Sequence, residues 1–327
     1  MSFTYTNNHN LPLSLLVFLL HDDYEYDARS NSISATTLIR PIRQLVLAQQ
    51  NKTLQKSVDV YDLVASRMGS AIHTMCETAW GTEKNITTAC KILGMSDSVR
   101  KSLIINPETP DASRIPIYVE QRTEKEIGGY IVTGKFDLVL DGNLHDYKSG
   151  SVWGFIYDSN ADQYAKQGSI YKWLNPDKIT SEFTTINYIF TDWSASKAKQ
   201  DKNHPQRRVT TKKYPLWSVE KTEEWIQNKL DLLTKLKHLP QSALPQCTDE
   251  ELWATETVYK YFKNPDKMSR ATKNFASMDE ALIRKSADGD VGTIKVVPGE
   301  VKACRYCPVV DICNQANDLL TSGRLLL

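Results

Sequence analysis

The stretch that most constrains this chain is 134–150, GKFDLVLDGNLHDYKSG. Phe136, Leu138 and Leu140 alternate with Lys135, Asp137 and Val139, which is the period of a half-buried strand. Asp141-Gly142 is a strong two-residue hairpin signal, and 144–148 returns with the same period. If those two residues form the loop, Asp137 lies opposite Asp146 and Lys135 opposite Lys148. Directly opposed residues have Cβ atoms about 4.5–5.5 Å apart. Two carboxylates that close repel unless a proton or cation sits between them. Mg²⁺ or Mn²⁺ is the natural occupant, because both prefer carboxylate oxygens. Lys148 emerges on the same face, so the set suits metal-assisted hydrolysis of a phosphodiester. A three-residue loop, 141–143, would shift the register by one and weaken the case for the pair. The plain alternative is a surface hairpin with solvated charges.

A length of 327 residues fits one large domain or two small ones. The net charge of +1 gives no whole-molecule attraction to nucleic acid, so any such binding must come from local patches. Residues 11–20, LPLSLLVFLL, are too short to span a bilayer, and no Lys or Arg precedes them as in a signal peptide. They read as a buried N-terminal helix of a cytoplasmic protein with no membrane association.

An acidic loop at 21–31 leads into a helix, SATTLIRPIRQLVLAQQ, with Pro41 near its first turns. From Val58 to about Trp80 the apolar spacing is helical, and His73 and Glu77 share a face. Gly69 in that helix suggests close approach of another backbone, or simple packing on a sheet. Residues 84–113 read as a small helical insertion, 115–122 as a strand, and 126–133 as another. A helix over 159–174 carries Gln163, Gln167 and Tyr171 on one polar stripe; 183–191 is a strong strand. Residues 194–214 read as a basic loop containing Arg207 and Arg208, and 217–238 as an amphipathic helix capped by Ser218 or Thr222. Lys260, Lys263, Arg270 and Lys273 lie among Tyr259, Tyr261, Phe262 and Phe275. Such a segment can grip phosphates and stack bases; a solvated helix face is the alternative. The order of elements implies an α/β chain with a central mixed sheet.

Cys304, Cys307 and Cys313 have the spacing C-x2-C-x5-C. A C-x2-C loop aims two thiolates at one metal, and a third nearby completes a face. Cys76, Cys90, Cys247 or a histidine could supply a fourth ligand. Three buried, unliganded thiols are the alternative.

These motifs together resemble the RecB-like and Cas4-like branch of the PD-(D/E)XK nucleases, in particular phage-encoded members, over most of the chain. Residues 69–73, GSAIH, resemble the G-x-x-x-H motif. Asp137 resembles the motif II aspartate, Asp146-Tyr147-Lys148 the (D/E)-x-K triplet, and 167–171 the Q-x3-Y motif. Cys304, Cys307 and Cys313 resemble the C-terminal cluster ligands, and PGEVKACRYCPVVDIC looks like the phage proteins. The resemblance implies a restriction-endonuclease-like core, a mixed sheet flanked by helices, with a Cys-rich metal-binding segment at its end. It implies one nuclease domain over 1–327: an N-terminal helical segment 1–57, a catalytic core 58–240, and a basic, aromatic and Cys-bearing segment 241–327. It implies that His73, Asp137, Asp146 and the Tyr147 carbonyl bind Mg²⁺ or Mn²⁺. Lys148 would orient or deprotonate the attacking water, and Gln167 and Tyr171 would contact DNA or support the site. In iron–sulfur members a further cysteine precedes the histidine motif. Here 38–43 reads LIRPIR, with Arg40 or Pro41 in its place. A three-cysteine cluster, a zinc ion, and a [4Fe–4S] site completed by Cys76 or Cys247 all stay open.

The leading expectation is a metal-dependent DNA exonuclease of phage recombination, replication or DNA degradation, acting in the host cytoplasm. Arg207, Arg208, Lys260, Lys263, Arg270 and Lys273 are candidate DNA contacts, and a helicase, recombinase or single-strand-binding protein is a candidate partner. The rival is a DNA-binding or helicase-partner module with a vestigial site. A sequence-specific endonuclease ranks third, since no separate base-reading domain is visible.

Overall fold

A computed structural model describes residues 2–22, 27–53, 55–109 and 111–326, and the side chains of all of these but 2 and 3. Part of the acidic loop expected at 21–31 lies outside the described residues. The chain divides into two compact units: Met1–Ile39 with Thr53–Asp231, and Arg40–Lys52 with Leu232–Leu327.

In chain order the elements are β1 (Ser2–Thr6), α1 (Leu13–Leu20), β2 (Ser32–Ser34), α2 (Ala35–Leu38), α3 (Ile42–Gln50), β3 (Gln55–Asp59), α4 (Val64–Trp80), α5 (Glu83–Ile92), α6 (Asp97–Ser102), β4 (Leu103–Ile105), β5 (Ile115–Ile127), β6 (Tyr130–Leu140), β7 (Asn143–Gly150), α7 (Val152–Ile156), α8 (Ala161–Leu174), β8 (Phe183–Phe190), α9 (Ala195–Gln200), β9 (Val209–Pro215) and α10 (Val219–Leu236). The first unit is α/β. Its seven-stranded mixed sheet runs β4-β5-β6-β7-β8-β9, and β2 also pairs with β6. The β7–β8 pair is parallel, so the chain must cross over between them, and α7 and α8 supply that crossover.

Strand β6 decides where the site opens. Along one edge it pairs with β5 for almost its whole length. On the other edge β7 pairs only with Leu138–Leu140 and β2 only with Ile131–Thr133. Residues 134–137 have no partner there. Strand β7 meanwhile follows β8 from Leu144 to Gly150. The sheet therefore parts between β6 and β7 where Asp137 and Asp146 stand. Asp141 and Gly142 both have positive φ, 47° and 75°, so the loop is the two-residue turn that the Asp-Gly pair favours. Helix α8 lies tightly over β6: a Cβ on Gly134 would come within 2.7 Å of Leu174 Cδ1 and 3.0 Å of the Tyr171 ring.

The second unit contains α3 and then β10 (Val258–Phe262), β11 (Lys273–Phe275), α11 (Met278–Ala287), β12 (Thr293–Val297) and α12 (Asn314–Thr321). Its sheet is antiparallel in the order β11-β10-β12. The cysteine-bearing stretch is built from short 3₁₀ turns at Ala303–Tyr306 and Val310–Ile312.

Several sequence expectations are corrected. The helix expected through Pro41 breaks there: Pro41 lacks the N–H of a helix interior, and α2 and α3 flank it. The strands read at 115–122 and 126–133 belong to one long hairpin turning at Gly128-Gly129. The basic loop at 194–214 contains α9 and β9. The alternative of a helix in 256–275 fails, because aromatic and β-branched residues at 258–262 form β10. Helix α1 is not buried. It is apolar on every side, yet only Leu19 is buried, and Leu13 and Val17 are largely exposed. No described helix is long and apolar enough to cross a membrane.

Candidate active site

The parted edge of β6 opens into a cleft of about 740 Å³ lined by His73, Glu77, Glu120, Lys135, Asp137 and Tyr171 among others. His73 comes from α4, Glu120 from β5 and Asp137 from β6. Their donor atoms all lie within 4.8 Å of one another. His73 Nδ1 and Asp137 Oδ2 are 3.4 Å apart. Ligands of one octahedral ion at ~2.1 Å lie roughly 3 Å apart, so the spacing suits a shared cation.

The Asp137 carboxylate is held from three directions. Burial pushes its pKa up, but the His73 imidazole, the Lys148 charge and the Tyr147 N–H outweigh burial and hold it low. That N–H donates to Asp137 Oδ2 at 2.7 Å, so Tyr147 joins the site through its backbone. His73 is raised in turn, chiefly by Asp137.

Asp146 is buried, and burial, with Asp137 adding to it against the pull of Lys148, pushes its pKa up to about 6. Lys148 Nζ lies 2.6 Å from Asp146 Oδ2. Even so, that oxygen receives no well-aligned hydrogen bond. The Lys148 ammonium is the charge that compensates the buried Asp146 carboxylate. Lys148 is held charged: burial works against the ammonium, but Asp146 and Asp137 prevail. The set of imidazole, carboxylates and one ammonium fits Mg²⁺ or Mn²⁺.

Glu120 went unread in the sequence. It faces Asp137 across the β5–β6 ladder, between the Val119–Leu138 and Gln121–Phe136 pairs. Its φ is +52°, a conformation that strains a non-glycine residue. Burial raises its pKa, against an ion pair with Lys135 at 2.7 Å.

The remaining expected residues are placed as follows. Gln167 Nε2 donates to Tyr171 Oη at 2.8 Å, so the polar stripe of α8 is a connected pair; Tyr171 is buried and lines the cleft. Gln163 is exposed. Gly69 faces β7, but a Cβ there would meet only Ser149 Oγ at 3.4 Å, an ordinary contact, so close approach does not require that glycine. Lys135 does not pair with Lys148, because the β6–β7 ladder stops at Leu138–His145. Arg207 and Arg208 are exposed in the first unit, whereas Lys260, Lys263, Arg270 and Lys273 belong to the second. Lys263 pairs with Asp288 at 3.5 Å. Tyr261 and Phe262 are core residues, which removes them from base stacking. An unforeseen aromatic pair stands just past β7: the exposed rings of Trp153, on α7, and Tyr157, which follows that helix, are stacked with centroids 6.0 Å apart.

In the second unit Cys304, Cys307 and Cys313 converge with Cys247 on one small cavity that Arg43 also lines. All six cysteines of the chain are thiols rather than disulfides. Burial, then Glu251 and the neighbouring cysteines, push the Cys247 thiol up to about 12, and burial pushes Cys304 up to about 11.

No family model matches the chain, and no curated protein matches it. Two solved structures are similar at low identity. One is described as the crystal structure of SSO0001, with 17% identity and a TM-score of 0.39 over 69% of this chain and 87% of that one. The other is a phage-related exonuclease from Haemophilus somnus 129PT, with 14% identity and a TM-score of 0.27 over 46% of this chain and 64% of that one.

Proposed function

We propose that the chain is a metal-dependent deoxyribonuclease of the RecB-like and Cas4-like PD-(D/E)XK kind, degrading DNA from an end. The observation that carries the reading is the group His73, Glu120 and Asp137, with donor atoms within 4.8 Å of one another at the opening between β6 and β7, and the Asp146–Lys148 ion pair on the β7 side of that opening. A divalent ion held by these carboxylates and His73 would polarise the phosphodiester and ease deprotonation of the attacking water. Lys148, held charged beside Asp146, orients that water and offsets charge developing on the phosphate. Tyr171, tied to Gln167, shapes the cleft wall. Arg207 and Arg208 attract the backbone, and the exposed Trp153–Tyr157 pair offers bases a stacking surface. The choice of end-directed over internal cleavage rests on the motif resemblance. A phage role in recombination, replication or degradation, with a helicase, recombinase or single-strand-binding protein as partner, completes the proposal.

The test is digestion of DNA labelled at either end, with free and blocked ends, in Mg²⁺ or Mn²⁺. Stepwise loss of label from free ends only is expected. Equal cleavage of blocked and circular DNA would replace the end-directed reading, and salt-sensitive binding without any cleavage would replace the nuclease with a binding module.

A further inference from the structure

We infer that Tyr164 is a positioning residue for Lys148: its ring is a second hold on the ammonium, besides Asp146, and keeps it aimed at the reacting phosphate. The inference rests on the nuclease reading above, and Tyr164 lies outside every motif that carried that reading.

Lys148 Nζ stands over the Tyr164 ring, 6.0 Å from its centroid, and 2.6 Å from Asp146 Oδ2. The two holds differ in kind. An ion pair with a compact ammonium has little direction, and a flexible four-carbon stem lets the head swing about a carboxylate. A ring attracts a cation over its face, which adds a direction. Tyr164 also shares with Asp146, Gln167 and Tyr171 the tight space between α8 and strands β7 and β8. The ring therefore joins the acid and the ammonium of β7 to the polar stripe of α8.

The ring is itself fixed. It packs on the buried rings of Tyr188 and Tyr214, with centroids 6.2 and 5.5 Å away and planes inclined at 71° and 56°. Tyr188 is the β8 residue in register with Lys148. Tyr214 Oη lies 2.7 Å from Tyr188 Oη and donates to Asp158 Oδ1 at 2.6 Å, and Asp158 pairs with Lys212 at 2.7 Å. Asn160 Nδ2 donates to Tyr164 Oη at 3.3 Å. Helix α8 is pinned one turn further on. A Cβ at Gly168 would come within 2.7 Å of Leu216 Cδ2 and 3.1 Å of Thr184 Cβ, and Ser169 Oγ accepts from the Trp217 N–H at 2.8 Å. Packing on Tyr188 and Tyr214 would be served by any large apolar side chain. An aromatic face is what also attracts the ammonium.

The test compares Y164F, which keeps the ring, with Y164L and Y164M, which remove it and still fill space. Two ring-less shapes guard against a folding failure of one, read by far-UV circular dichroism. In Mn²⁺-dependent cleavage by the full chain, Y164L and Y164M should lower kcat roughly tenfold with KM for DNA unchanged, and Y164F should stay within about twofold of the parent. In a K148A background the same ring removals should change the residual rate by less than about twofold, because there is no ammonium left to hold. Parental kcat in both ring-less variants, or an equal loss with and without Lys148, would overturn the inference; the second result would make Tyr164 a packing residue only. A separate readout needs no cleavage. In protein labelled with ¹³C-lysine, the ε-methylene signal of Lys148, identified by its absence in K148R, should lie upfield in the parent and in Y164F and move downfield in Y164L and Y164M. An unchanged signal would overturn the contact. A parent chain that cleaves no DNA would end the nuclease reading, while this signal would still decide whether the ring holds the ammonium.

Discussion

At the scale of single residues, the acidic groups of the cleft depend on a few contacts each. Glu120 is the sharpest case, because the same reasoning that placed Asp146 could have found it. Gly128-Gly129 is a two-residue turn like Asp141-Gly142, and counting back from it sets Glu120 opposite Asp137. The sequence reading stopped the strand at residue 122 and so missed the register. Cys247, one of the candidates the sequence left open, is tied in space to the stretch after Cys313 by the Gln315 side chain, a link that no local spacing announces. E120Q should weaken Mn²⁺ binding by about 10–100-fold, read as the metal concentration for half-maximal cleavage or by calorimetry. An unchanged metal requirement would remove Glu120 from the site. The pH dependence follows from Asp146. Its folded pKa is raised to about 6, so between the ordinary carboxylate range and that value the folded state keeps a proton the unfolded chain has lost. Stability of the metal-free protein therefore falls as pH rises through that window. His73, also raised, acts in the same direction: its stabilisation is present below its unfolded value and is lost as pH climbs through the folded one. A divalent ion replaces the missing positive charge, so Mg²⁺ should raise the melting temperature more at pH 8 than at pH 5. Equal gains at the two values would contradict this.

At the scale of elements, the hairpin was legible because turn chemistry and strand alternation agree in 134–150. Its register held as far as Leu138–His145 and ended there, so Asp137 and Asp146 stand on either side of the parting instead of pairing in the ladder, and Lys135–Lys148 does not form. A turn fixes pairing nearby, but β7 leaves β6 to follow β8, and that parting is a tertiary event. Of the two readings of 256–275, the solvated helix face fails because Val258, Tyr259, Tyr261 and Phe262 prefer a strand. Helix α8 over β6 gives a direct test of packing. G134A places a methyl group against Leu174 and the Tyr171 ring, and should lower stability by about 1–3 kcal/mol in urea unfolding. It should also reduce cleavage by moving Tyr171. A variant as stable and active as the parent would show that α8 is free to shift.

At the scale of the whole molecule, the chain contacts sort into two units, with residues 40–52 grouped among the C-terminal ones. Segment membership of that kind is set by long-range packing and leaves no local signature. The basic residues divide accordingly, Arg207 and Arg208 in the first unit and the 260–273 set in the second. With a net charge of only +1, binding rests on such patches. R207A combined with R208A should weaken DNA binding across all sequences and lower the salt-dependence slope by roughly two. No change in slope would assign the phosphate contacts elsewhere.

The measurement that bears most directly on the central claim is DNA cleavage as a function of Mn²⁺, made in parallel on the parent chain, D146N and K148A. Metal-dependent cleavage by the parent, lost on chelation and reduced by about 10²–10⁴-fold in both variants while DNA binding persists, is the expected result. Undiminished cleavage by D146N and K148A would show that the opening between β6 and β7 is not where the chemistry occurs.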